Sequence, residues 1–207
     1  MAELLSLAVA LPSGIAAEDA LHIARLAGRL GYAAVHVPPE AAAEPGFIEE
    51  LSEAARPALV VIDEAVLDEA VLDEAAGEDG EGATGMGVVR ANSPDQVAAA
   101  RAAMVRAGVS RPLLVAIPVS IGRTMSEAVA RAEREPRFAG GRHPSRAGIF
   151  GTFEHAQGEV LALAEAGADG LIVDLPLERD VADVLAQVKA LVVGATPELR
   201  RRRHLSH

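Results

Sequence analysis

Short apolar runs without polar alternation recur through this 207-residue chain, and most are followed by a stretch with helical spacing. Strands that are apolar on both faces must be covered on both, which fits a parallel sheet joined by helices. Residues 3–11 (ELLSLAVAL) read as the first such strand, broken by Pro12-Ser13-Gly14. Leu21, Ile23, Ala24, Leu26, Ala27 and Leu30 then lay an apolar stripe along a helix over 17–30, stopped by Gly31. The same reading predicts strands over 33–37, 57–62, 87–91, 112–120, 149–152 and 171–175. It predicts helices over 47–55, 94–107, 154–165 and 181–193, and one more that starts at Thr124 or Ser126. Ser93 is placed to cap its helix with Pro94 in the first position.

Six or seven strand–helix units in series predict an α/β fold, either a closed barrel or an open doubly wound sheet. No G-x-G-x-x-G follows the first strand and no Walker loop is present, which disfavours the nucleotide-binding sheets. A (β/α) barrel takes roughly 200 to 250 residues or more. The expectation is therefore a shortened TIM-type barrel of seven or fewer strands, with 57–62 and 87–91 in one parallel sheet.

Aromatic residues make up only 2% of the chain, so the core must be built from Ala, Val, Leu and Ile. With no cysteine, disulfides, thiolate metal sites and Cys nucleophiles are excluded. The net charge of −11 argues against nucleic acid as a partner. No signal-peptide pattern and no apolar run near the ~18–20 residues of a membrane span point to a cytoplasmic protein. The charge is uneven. Nine carboxylates stand between Asp63 and Glu81 with no basic residue, and residues 63–75 repeat a five-residue unit matching neither sheet nor helix period. The expected organisation is one domain over 1–198, with an exposed acidic, Gly-rich insert at 63–86 and a basic tail at 199–207. The insert matches no EF-hand spacing, and no metal is expected.

Three segments resemble the bacterial luciferase-like, flavin-dependent oxidoreductases. Residues 151–191 (GTFEHAQGEVLALAEAGADGLIVDLPLERDVADVLAQVKAL) look like the family's C-terminal signature, a Gly-Thr-x-Glu turn followed by Ala-Gly-x-Asp-Gly. Residues 88–134 are similar in their Pro-Asp-capped helix and in Thr124, Glu127, Ala128, Arg131 and Ala132. Residues 23–37 (IARLAGRLGYAAVHV) resemble the first helix and second strand. The resemblance covers about two-thirds of the chain. It implies a barrel that holds FMN or the deazaflavin F420 and acts on a small organic substrate, as a homodimer or as a heterodimer with a full-length relative. A shortened barrel with few aromatics is also expected to leave the apolar faces of the helices over 17–30 and 47–55 under-covered, a motive for such pairing. In the family's middle section a Ser-x-Gly-Arg turn helps to form the cofactor pocket; here the acidic insert stands in that place, and the chain reads as a shortened member. A non-catalytic flavin-binding or partner subunit is the alternative. A third reading is a barrel enzyme for a phosphorylated metabolite, since residues 168–176 are also similar to a strand turn of tryptophan synthase α chains.

Active groups of such barrels sit at the C-terminal ends of strands. That rule collects Ser13, His36, Asp63, Arg90, Asn92, Ser120, Arg123 and Asp174. His36 is the candidate catalytic residue, because imidazole titrates near neutrality; a histidine packed under a helix is the plain reading. Arg90 can meet a cofactor phosphate bidentately, or Asp95 in an ion pair. Ser120, Gly122 and Arg123 open the Thr124 helix, as an anion-binding turn or simply an N-cap. Asp174 reads as a hydrogen-bonded cap. His143 and His155 show no metal-ligand spacing.

Overall fold

The computed structural model describes residues 5–62, 87–90, 93–135, 138, 148–176 and 180–205. Seven strands form one sheet: β1 (Ser6–Ala10), β2 (Ala34–Val37), β3 (Leu59–Ile62), β4 (Gly87–Arg90), β5 (Leu113–Ile121), β6 (Ile149–Gly151) and β7 (Gly170–Asp174). Every pairing is parallel, in the order β3-β2-β1-β7-β5-β4, with β6 on the far end of β5. The helices are α1 (Ala17–Leu30), α2 (Pro39–Ala42), α3 (Phe47–Ala55), α4 (Pro94–Arg106), α5 (Met125–Glu133), α6 (Phe153–Glu165) and α7 (Val181–Leu205). The chain is thus α/β, and β3 and β4 lie in the same sheet, as expected. Among the described residues these two strands are its edges. The acidic insert lies outside the described residues.

Side chains alternate between the two faces of a strand, and here the alternation separates two cores. Leu7, Val9, Val35, Val37, Val115, Ile117, Leu171 and Val173 pack into the main core with apolar residues of α1, α3, α4, α6 and α7. The opposite face carries the smaller core, half of it alanine: Ala8, Ala34, Leu114 and Ile172 form its buried centre, with Ala10, Val61, Val88 and Ala116 around them. Five helices thus cover one face, as the outer layer of a barrel wall does.

One unit departs from the sequential order. Asp169 N–H donates to Leu113 O on the β7 side, whereas Gly122 N–H donates to Gly151 O. Odd and even residues of a strand direct their backbone groups to opposite sides, so β6 lies on the β4 side of β5. A right-handed crossover that runs backward places its helix on the other face. Accordingly α5 packs beside Ser120 and Phe150, with Ala132, Phe138 and Phe150 in a separate cluster.

Two readings need correction. The last helix, expected to end at Val193, runs on through Pro197 to Leu205 and includes the basic run 200–203. Gly194 and Pro197 are ordinary helix breakers, but Leu191, Val192 and Ala195 stay buried in the core, and tertiary packing overrides the local signal. The expectation of bare apolar faces on the first and third helices, offered as a motive for dimerisation, also fails. α1 and α3 pack on each other. The exposed large apolar residues among those described are Leu59, Ile62, Val105, Met125, Phe153 and Val193, on neither helix. Among the described residues no helix is long and apolar enough to cross a membrane.

Candidate functional site

The register of the sheet arranges the C-terminal rim. Ala10 is in register with His36, which is in register with Val61. On its other side Val9 pairs with Val173, so Asp174 falls opposite Ala10, and Asp174 pairs with Pro118. His36, Ala10, Asp174 and Pro118 therefore stand at one level, on the face of the smaller core. His36 is 1% exposed; Ala10, Asp174 and Pro118 are half-buried. Above them the loops after β1 and β2 meet where the Ser13 hydroxyl donates to the Glu40 carboxylate. That bond, more than any other cause, holds Glu40 below the usual carboxylate range. Whatever stability the bond lends is present above the ordinary carboxylate range and is lost as pH falls through the lowered value. Ser13→Ala is expected to move the Glu40 midpoint upward, read from its side-chain carboxyl signal by NMR; an unmoved midpoint would show that Ser13 has no such role.

Beside this level, the ends of β5 and β6 and the start of α7 bound a cleft of about 660 Å³. Ile121, Gly122, Arg123, Thr152, Phe153 and Val184 line it, together with Arg131 and the carboxylates of Glu127, Glu154, Asp180 and Asp183. Two helices begin at the cleft in capped form. Thr124 Oγ1 accepts from Glu127 N–H at 3.1 Å, and the Glu127 carboxylate accepts from Arg123 N–H at 2.9 Å. This is a variant of the capping box, with the carboxylate reaching the residue before the cap. Thr152 Oγ1 accepts from His155 N–H at 3.3 Å in the same way on α6. Arg131 donates to Ile121 O and reaches Glu127 at 3.5 Å.

The sequence candidates divide accordingly. Gly122 and Arg123 line the cleft, but their N–H groups already serve Gly151 O and Glu127. An anion here must use the Arg123 guanidinium, not the start of the helix. Ser120 is fully buried and its hydroxyl donates to Ala128 O at 2.9 Å, tying α5 to β5. Arg90 is the last residue of β4, in register with Ala116. His36 belongs to the neighbouring level, with β1 and β7 between its strand and β5. Asp63 and Asn92 lie outside the described residues. Sequence reasoning missed Glu40 and the carboxylates at the start of α7, which no motif marks. The register that sets Asp174 and His36 at one level is likewise invisible before the strand order is known. Among the described residues no cluster of His or carboxylate side chains is arranged to hold a metal.

No family model matches the sequence, and no curated protein sequence matches it. Solved structures do resemble it. The F420-dependent tetrahydromethanopterin reductase of Methanopyrus kandleri is 12% identical with a TM-score of 0.64, covering 93% of this chain and 99% of the reductase. An F420-dependent secondary alcohol dehydrogenase, solved with an F420–acetone adduct, is 11% identical with a TM-score of 0.60, over 92% of this chain and 99% of that one. A riboflavin lyase, solved with modified FMN and riboflavin, is 12% identical with a TM-score of 0.53, over 96% and 92%. The chain shares its fold with these solved structures.

Proposed function

We propose that this chain is a luciferase-like oxidoreductase that holds FMN or F420 at its C-terminal rim and acts on a small organic substrate. The observation that carries the reading is the fold, shared over 93% of the chain with an F420-dependent enzyme. The rim fits the group in part. The cleft offers apolar surface from Ile121, Phe153 and Val184 for a ring system and the exposed Arg123 for a phosphate. Arg90, at the end of β4, is the second candidate for the phosphate. Ser120 and Gly122 support this end of the site by anchoring α5 and by pairing β5 with β6. His36 is the candidate to hold or move a proton at the substrate. When bound, the cofactor itself would supply hydride chemistry.

One observation favours a second reading, a non-catalytic partner subunit of the same fold. Four carboxylates line the cleft against two arginines, and Arg131 is already engaged by Glu127. Such a lining opposes a phosphate. The same imbalance disfavours an enzyme for phosphorylated metabolites.

Titration of the purified protein with FMN and with F420, read from the ligands' own fluorescence, separates the readings. Saturable binding, weakened roughly tenfold by Arg123→Ala, supports the enzyme; a tenfold loss is about 1.4 kcal/mol. A protein that ignores both ligands favours the partner subunit. Light scattering on the same sample tests for a homodimer, and a 21 kDa particle at high concentration would refute it.

A further inference from the structure

We infer, on the reading of the cleft at the ends of β5 and β6 as the ligand site, that it takes a planar heteroaromatic ring stacked on Phe153 and held at its edge by in-plane N–H groups. The chain has four phenylalanines and no tryptophan. Phe47, Phe138 and Phe150 are at most 8% exposed, whereas Phe153 is 39% exposed. Its place on α6 explains the difference. Ala156, Val160 and Leu163 carry the buried stripe of that helix at helical spacing. Phe153 is the next position of the stripe toward the rim. There the core ends, and its ring lines the cleft of about 660 Å³. Ile121 at the end of β5 and Val184 on α7 complete the apolar lining. Of the three, only Phe153 offers a flat face.

Size and lining define the ligand. The volume lies inside the roughly 300–1,000 Å³ range of small-molecule pockets. An aromatic face gains more from a second π-system than from an aliphatic group of equal area. Glu154 in the first turn of α6 and Asp183 in the first turn of α7 bring exposed carboxylates to the same cleft. An ionised carboxylate only accepts hydrogen bonds. A ring lying on Phe153 turns its edge to the other walls, so its complement there is an in-plane N–H or amino group. Glu127 is committed elsewhere, to Arg123 N–H and to Arg131. The stack itself does not depend on the charge of the rim; the carboxylates decide which ring edge is preferred.

2-Aminopurine tests this on the full chain without any cofactor. Its fluorescence falls when it stacks, and a chain without tryptophan adds little background. Saturable quenching is expected. Caffeine, planar but without an N–H, is expected to displace the probe only at higher concentration. Cyclohexylamine, which has donors but no plane, is expected not to displace it. Phe153→Leu, which keeps the apolar bulk, should weaken 2-aminopurine about tenfold while circular dichroism stays native, and Phe153→Tyr should bind as the parent does. Glu154→Ala combined with Asp183→Ala should remove the preference over caffeine and leave caffeine's own affinity unchanged. Absent quenching, quenching that survives Phe153→Leu, displacement by cyclohexylamine, or a double variant that keeps the preference would each overturn the inference. If FMN and F420 fail to bind while Phe153-dependent quenching persists, the cofactor reading falls and the stacking site stands. If they bind the parent and Phe153→Leu equally well, the cofactor reading stands and the stacking site falls.

Discussion

Gly28→Ala is expected to destabilise the protein by about 2 kcal/mol or more, while Gly158→Ala stabilises it by roughly 0.5–1 kcal/mol. Both glycines are inside helices, α1 and α6, where alanine is the better residue. Their surroundings decide the sign. A Cβ at Gly158 would meet nothing within 4 Å. A Cβ at Gly28 would lie 2.6 Å from the Arg56 carbonyl oxygen and closer still to that of Ala55. Those are backbone atoms at the end of α3, so neither can swing aside as a flexible side chain would. The helices must separate, and the contact that buries Ala24, Ala27, Leu51 and Ala55 loosens. Urea denaturation of the two variants beside the parent measures the effect. A Gly28→Ala midpoint at or above the parent's would show that α1 and α3 do not approach this closely.

Asp169→Ala is expected to cost about 2 kcal/mol, and Arg101→Ala under about 1 kcal/mol. Asp169 stands in the Ala-Gly-Ala-Asp-Gly turn between α6 and β7. Its carboxylate accepts from Leu113 N–H at 2.9 Å at the start of β5, and it also pairs with Arg101 of α4. Arg101 donates to Gly167 O as well. Both side chains of the ion pair keep solvent contact, 29% and 45% exposed, so the pair itself is screened. The larger cost of losing Asp169 comes from the Leu113 N–H, whose residue is buried and would lose its acceptor. Thermal melts of the two single variants and the double variant test the ranking. Equal losses from the two single variants would place the energy in the ion pair instead.

This turn shows what a sequence motif conveys. Ala-Gly-x-Asp-Gly carried the family resemblance, and the structure explains each residue without reference to catalysis. Gly167 adopts a positive φ of 113°. Asp169 caps the start of β5. Gly170 has no room for a side chain, because a Cβ would lie 2.7 Å from Leu114 Cδ2 and 2.9 Å from Ser6 O. The motif therefore reports a fold, and the shared fold of the solved F420 and flavin enzymes agrees with it.

The local order of the chain determined a good deal by itself. Apolar runs and their stops placed all seven strands to within a few residues, because strand and helix periods are properties of neighbouring residues. The Ser93 cap was equally legible and the next helix start was narrowed to Thr124 or Ser126, of which Thr124 is the cap, since a cap bonds only three residues away. Tertiary structure alone decided the rest. The side of β5 on which β6 lies, and hence the face that α5 covers, depends on pairings across some thirty residues. The continuation of α7 past Pro197 depends on a core assembled from distant strands and helices. The level shared by His36, Ala10 and Asp174 joins residues from both ends of the chain. Sheet register is the physical reason: it aligns side chains that no spacing along the sequence relates.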